Sequence, residues 1–457
     1  MSKEIQNIFE LNNMIGFWDI PEDSIQVQGI LKIQDSKLHM HTTEAFEKGK
    51  YFYDGNSSYS IINGITSVGL DITFWGNMIP SMSLNFPGTQ QLIYTPSYIF
   101  VGKQLKTEKF KVKKISAMFE GLPTWIGQQN FVIKKNDTFT EVNINYTKPI
   151  FDKISCVDKT IYFETDCKSR VDFFSEAMIT QRTWASIEFE KTVLWKDAYA
   201  KLFEYSDFLT LCFGTKCIPQ RITLLDEENT CIQIFENNMN QNEIKLKPRF
   251  LIPYKYLKNQ YEQVLNIWFK KQEQISPVIS YFVDAHMEER VVNVIPLFLK
   301  MVQALESFSR KLRQSTLKPK EEHEARITRI ISKIDDSDDN KWLSEVLASP
   351  ILNEPSCQQR IKRLFDEMPD ELMLGKRKLK KLSYKIVSTR NYYTHFNESL
   401  KSEILDSHNM FYSIIFMRYA LWLLLVNELD IDVSKVVDSI KQDTEFITAV
   451  DMLELRK

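Results

Sequence analysis

Around Lys247–Pro253 the spacing of apolar residues changes from that of short strands to that of helices, so no single layer of secondary structure accommodates the whole chain. Before this point Ile25–Ile33, Tyr59–Ile62, Gly69–Phe74, Phe110–Phe119, Phe131–Ile133, Val142–Tyr146 and Thr160–Thr165 are short and rich in β-branched or aromatic residues. Gly, Asn, Asp and Pro punctuate them as hairpin turns require, and such regularly spaced strands predict a sandwich or an open barrel. Leu194–Cys212 is the exception, with apolar residues at helical spacing that predict a helix packed on the β-rich part. After the change, Tyr261, Val264, Leu265 and Trp268 mark one amphipathic helix. Met301, Leu305, Phe308 and Leu312 mark a second, and Leu379, Leu382 and Ile386 a third. Ile404–Leu429 is apolar nearly all round, as the central helix of a bundle or a subunit interface would be. Asp335–Asn340 and the surroundings of Pro350, Pro355 and Pro369 read as loops or helix caps. The expected fold is therefore α+β and multidomain: a β-rich, sandwich- or barrel-like region over 1–252, then an all-α region over 253–457. A length of 457 residues agrees with two or three domains.

Several function classes drop out early. With 58 Lys and Arg against 60 Asp and Glu, affinity for nucleic acid must come from a local basic patch. The opening MSKEIQNIFELNN has neither an apolar h-region nor a small-residue cleavage site, so no secretory signal is expected. Met410–Val426 resembles a membrane span but contains Arg418, which costs about 3 kcal/mol at a bilayer centre. A buried bundle helix is expected there, and no membrane partner. Six scattered cysteines are too sparse for a disulfide framework, which fits a reduced cytoplasm. Cys212, Cys217 and Cys231 lack a second close pair or a nearby histidine, and His39 and His41 lack a third ligand. No metal and no cofactor are expected. Neither a GxxxxGK[ST] loop nor a Gly-x-Ser-x-Gly elbow is present, which removes the basis for NTP binding or a serine hydrolase. Trp18, Trp75, Trp125, Trp184 and Trp195 are expected in the core rather than on a sugar platform.

One segment, GKRKLKKLSYKIVSTRNYYTHFNESL (Gly375–Leu400), gathers groups suited to RNA cleavage. RNA carries its own nucleophile, the 2′-OH. A nuclease without metal needs a base for that proton, an acid for the leaving 5′ oxygen and a cation for the developing phosphorane charge. Histidine, with an ordinary pKa of about 6.5, suits proton transfer near neutrality. Arginine presents a fork matched to phosphate oxygens. Here Arg390 and His395 are separated by Asn391, Tyr392, Tyr393 and Thr394. On a helix Asn391 and His395 share a face, while Arg390 lies about 140° from His395. A long guanidinium can sweep the intervening wedge, or a second copy of the motif can close the gap. Asn391 can hold the imidazole or bind a phosphate oxygen. Between Glu371 and Glu398 there is no acidic residue, whereas Lys376, Arg377, Lys378, Lys380, Lys381, Lys385 and Arg390 all fall there. That segregation builds a phosphate-attracting surface, and Tyr392 and Tyr393 can stack unpaired bases. The bland alternative is an exposed helix end with a structural histidine.

RNYYTH (Arg390–His395) resembles the signature of the HEPN superfamily, Arg-x4–6-His, often with Asn just after the arginine. The superfamily also tends to carry a polar or acidic residue on its first core helix facing the motif, and Glu306 in QALESFSRKL stands at the matching position. Read alone, Glu306 is equally a solvated charge beside an apolar stripe. The opening GFWDIPEDSIQVQGILKI (Gly16–Ile33) resembles the start of the ApeA-like branch, bacterial anti-phage proteins with a β-rich domain before the HEPN unit. Phe396-Asn397 departs from the pattern, since many relatives have proline or a small residue there, and this bears on how the helix ends. The resemblance implies a HEPN core at about 290–450 and a sensor or regulatory role for 1–252. It implies a metal-independent endoribonuclease of abortive infection that cuts transfer or messenger RNA to 2′,3′-cyclic phosphate ends. A homodimer or higher oligomer through the HEPN bundle, with a composite site, and a phage-derived trigger complete the expectation. The alternative is a non-catalytic scaffold whose HEPN-like bundle binds RNA or a partner.

Overall fold

The computed structural model describes residues 5–21, 25–46, 57–84, 87–88, 90–138, 140–238, 250–287, 293–314 and 316–457. Glu22, Asp23 and Ser24 of the opening segment, Lys247–Arg249 at the expected boundary and 290–292 at the start of the expected HEPN core lie outside the described residues. The chain divides into two compact units: Met1–Leu209 with Cys217–Leu246, and Thr210–Lys216 with Lys247–Lys457.

Strands make the first unit. They are β1 (Ile15–Asp19), β2 (Val27–Gln34), β3 (Lys37–Thr42), β4 (Tyr59–Thr66), β5 (Asp71–Met78), β6 (Ser81–Leu84), β7 (Gln90–Tyr94) and β8 (Tyr98–Val101). They continue as β9 (Lys111–Phe119), β10 (Phe131–Lys135), β11 (Val142–Tyr146), β12 (Ile154–Cys156), β13 (Lys159–Asp172), β14 (Glu176–Leu194), β15 (Pro219–Asp226) and β16 (Cys231–Glu236). Among the described residues fourteen strands form one antiparallel sheet, in the order β12-β13-β14-β9-β15-β16-β8-β5-β4-β1-β2-β3-β7-β6, and β10 pairs with β11 apart from it. Two helices accompany the strands, α1 (Leu122–Ile126) and α2 (Trp195–Phe213), the second at the predicted place.

Directly opposite residues of an antiparallel pair share a face, so the register fixes what each side of the sheet carries. Ile187, Ile115, Leu224 and Ile232 align on one face, all buried. On this side Tyr205 of α2 meets Phe119 at 6.1 Å and Trp195 meets Phe100 at 5.1 Å between ring centroids. On the opposite face the strands β1–β8 bury an apolar cluster around Trp18, whose ring stacks on Phe74 at 5.0 Å. Gly64 is required beside it, because a Cβ there would come within 2.2 Å of the indole.

The second unit is helical: α3 (Tyr254–Leu257), α4 (Tyr261–Met287), α5 (Val294–Leu312), α6 (Lys320–Ile331), α7 (Ser337–Leu347), α8 (Cys357–Asp366), α9 (Lys376–His395), α10 (Ser407–Glu428), α11 (Val433–Lys441) and α12 (Thr444–Met452). The α+β, two-part architecture agrees with the sequence expectation. Helix α10 is long and apolar enough to cross a membrane, but 78% of its most apolar window is buried inside the protein, as for a core helix. Helix α5 packs against α4, α8, α9 and α10. The Asp335–Asn340 run supplies a cap: the Asp336 carboxylate accepts from the Asp338 and Asp339 N–H groups at the start of α7. Ser356 and Gln359 form a reciprocal capping box on α8.

A charged clamp ties the ends of these helices. Arg313, just after α5, donates to Glu367 and, at 2.6 Å, to Glu428 at the end of α10, while Lys271 of α4 donates to Glu428 at 2.7 Å. Burial pushes the Glu428 carboxyl up, but the hydrogen bonds and charges of Lys271 and Arg313 outweigh this and hold it below the usual carboxylate range. Since the folded value is depressed, its stabilisation is present above the unfolded value of about 4.3 and is lost as pH falls through the folded one. Glu428→Gln is expected to destabilise the helical unit by about 1–3 kcal/mol near neutrality. Melting curves of the variant and parent should converge as pH falls through the depressed folded value. An equal deficit at every pH would assign the loss to packing instead of charge.

Candidate active site

Helix α9 combines two stripes. Leu379, Ser383, Ile386 and Arg390 fall within about 60° of one another by helical arithmetic, and the first three are buried. Arg377, Tyr384, Asn391 and His395 fall within about 40° on another stripe, where Arg377, Tyr384 and His395 are exposed. The last turn is pinned by Thr389, whose hydroxyl donates to the Lys385 carbonyl at 2.7 Å and accepts the Leu405 N–H at 2.8 Å. The helix stops at Phe396, which takes a left-handed conformation (φ +50°) and returns its N–H to the Tyr392 carbonyl at 2.7 Å. Phe396 thus takes the left-handed capping position that glycine favours, at a steric cost of about 1–2 kcal/mol.

Arg390, half-buried, donates through Nη1 to Asn391 Oδ1 at 2.9 Å. Glu306, on α5 with a side chain only 12% exposed, accepts from Arg310 at 3.1 and 3.2 Å. The thiol of Cys357, the first residue of α8, links the two helices: it hydrogen-bonds Glu306 and feels the charge of Arg390. Burial, then the Glu306 charge and hydrogen bond, push this thiol up to about 12 against the opposing pull of Arg390 and Arg310, so it stays protonated at neutral pH. Arg310 also reaches Glu354 at 2.6 Å, and the buried Arg360 meets the same carboxylate at 3.0 Å.

Arg390, Asn391 and Glu306 are therefore drawn into one neighbourhood, whereas the His395 imidazole is exposed and makes no hydrogen bond among the described residues. Asn391 engages the guanidinium, not the imidazole. Tyr392 and Tyr393 are half-buried and meet edge to face at 5.1 Å. Lys376, Arg377, Lys380 and Lys381 are exposed and Lys385 partly so, and none forms an ion pair among the described residues. Lys378 is tied to the Arg456 carbonyl at 2.7 Å. Cys357 and Arg310 escaped the sequence reading: one is a lone cysteine, the other a charge one turn beyond Glu306, and neither stands in a motif.

Residues 13–268 match the family model described as ApeA N-terminal domain 1, and residues 299–435 match the one described as Apea-like HEPN. The first match runs past the sheet into α4, and the second contains Glu306, Cys357, Arg390, Asn391 and His395. No curated protein and no solved structure matches the chain.

Proposed function

The chain belongs to the ApeA-like HEPN family, and from that premise we propose that it is an RNA-cleaving enzyme of anti-phage defence. HEPN domains are in general ribonucleases, so the proposal specifies the chemistry. The substrate's 2′-OH attacks the adjacent phosphorus and the bond from phosphorus to the 5′ oxygen breaks. The products are a 2′,3′-cyclic phosphate and a free 5′-hydroxyl. One His395 imidazole takes the 2′ proton and, as the imidazolium so formed, returns a proton to the leaving 5′ oxygen. Arg390 meets the charge that builds on the non-bridging oxygens, with Asn391 restricting the swing of its guanidinium. The Cys357 thiol, hydrogen-bonded to Glu306, lies within reach of the Arg390 charge, and the pair would support the guanidinium. Base, acid and counter-charge are then all protein groups, and no metal takes part.

The observation that carries the proposal is the last turn of α9, where a tethered arginine and an open imidazole stand at the end of a basic stripe without counter-ions among the described residues. Those cations would attract the phosphate backbone, and Tyr392 and Tyr393 would receive unpaired bases, as in loops of transfer RNA or in messenger RNA. Full-length protein incubated with total RNA in EDTA is expected to yield fragments ending in 2′,3′-cyclic phosphate. Cleavage that requires Mg²⁺, or that leaves 3′-hydroxyl ends, would rule the mechanism out.

A further inference from the structure

The sheet face that is apolar across β1–β8 turns polar across β13, β14, β9, β15 and β16. Register places Glu164 opposite Trp184, Ser186 opposite Ser116 and Thr223 opposite both Ser116 and Gln233, all on this face. Here the first unit contains a cavity of about 460 Å³, within the size range of small-molecule sites. Ser116, Ser186, Gln233 and Trp184 are buried along this face, and Ser116, Gln233 and Trp184 line the cavity, an arrangement that suits a ligand better than a packed core.

The charged groups of this cavity leave carboxylate oxygens open. Glu164 Oε1 accepts from Lys114 at 2.9 Å, from Ser116 at 3.4 Å and from Ser186, while Oε2 takes no hydrogen bond among the described residues. Burial raises the Glu164 carboxyl, but the hydrogen bonds from Ser186, Lys114 and Ser116 and the Lys114 charge outweigh it, so an ionised acceptor stands there at neutral pH. Both cations are already engaged, Lys114 by Glu164 and Arg182 by a side-on pair with Asp166. With Asp71 also at the wall, carboxylates outnumber cations, so an anionic group would meet net repulsion. A neutral or cationic occupant that donates hydrogen bonds therefore fits this wall. Trp184 supplies a flat wall, with the Arg182 guanidinium 5.8 Å from its ring on the same face. Among nucleobases, guanine presents two adjacent donors, N1–H and the 2-amino group. Adenine and cytosine set an amino group beside a ring acceptor that a carboxylate repels, and uracil flanks its one N–H with carbonyls.

We propose that this cavity binds guanine or guanosine, with the donor edge of the base on Glu164 and its ring against Trp184. The proposal concerns the first unit and requires no RNA cleavage, so it stands or falls separately from the nuclease. Titration calorimetry on the full-length protein with guanosine, adenosine, spermidine and inorganic phosphate tests it. Guanosine is expected to bind at least tenfold more tightly than any of the other three, and Glu164→Gln to weaken it at least tenfold. Because Glu164 anchors a buried network, Asp71→Asn at the wall gives a second variant, expected to weaken guanosine severalfold with an unchanged melting temperature. Absence of guanosine binding at millimolar concentration, equal binding of adenosine or spermidine, or indifference to both substitutions would overturn the assignment.

Discussion

Replacing His395 with alanine is expected to slow RNA cleavage by about 10²–10⁴-fold while the protein melts where the parent does. The imidazole is exposed at the final residue of α9 and holds no hydrogen bond among the described residues, so its removal disturbs neither packing nor a cap. All of the expected loss is catalytic. Arg390→Ala is expected to cost about 10²–10³-fold, the scale of losing one preorganised charge at a phosphorane. Arg390→Lys should recover little, because an ammonium lacks the fork that meets two phosphate oxygens and would have to replace the bond to Asn391. The basic stripe belongs to binding instead. Lys380→Ala with Lys381→Ala should raise KM, most at low salt and less as salt rises, and leave kcat nearly unchanged, since backbone neutralisation acts on ground and transition states alike. Single-turnover rates and KM measured for the three sets separate these roles. A His395→Ala protein that cuts RNA at the parental rate would remove the imidazole from the mechanism.

What the sequence made legible follows the range of the interactions involved. The α9 stripe of Leu379, Leu382 and Ile386 and the all-round apolar α10 are local periodic signals, and both helices occur where the spacing predicts. The Arg390–His395 pair is legible for the same reason, as is the angle that separates them. In contrast, β13 and β14 run for 14 and 19 residues, yet only Thr160–Thr165 reads as strand. Beyond Asp166 the β13–β14 arm is exposed on both faces and carries no alternation of apolar and polar residues. Along β14 both faces are buried from Thr183 to Ile187, and one of them bears Arg182, Trp184 and Ser186, so one of the two buried faces looks polar. The Lys114–Glu164 and Ser116–Ser186 contacts join residues far apart in the chain through strand register alone, which no local pattern encodes. Cys357 reaches Glu306 in the same way, through the packing of α8 on α5.

A one-to-one co-expression of Arg390→Ala and His395→Ala chains is expected to restore about a quarter of the parental cleavage, although each variant alone is nearly inactive. Arg390 lies with the buried stripe of α9 beside Cys357 and Glu306, whereas His395 lies about 140° away on the exposed stripe. A single chain therefore aims its guanidinium and its imidazole at different volumes. A two-fold dimer that brings both α9 ends together would complete each site with the arginine of one protomer and the histidine of the other. In a mixed dimer the arginine-deficient chain still offers its histidine and the histidine-deficient chain its arginine, so one of the two composite sites is intact and the other lacks both groups. Random pairing makes about half the dimers mixed, each with half its sites working, which gives the quarter. If each chain instead built a complete site from its own Arg390 and His395, every chain in the mixture would lack one group and no activity would return. Recovery of cyclic-phosphate products from the mixture, measured against each variant alone at equal total protein, decides between the shared site and the self-contained one.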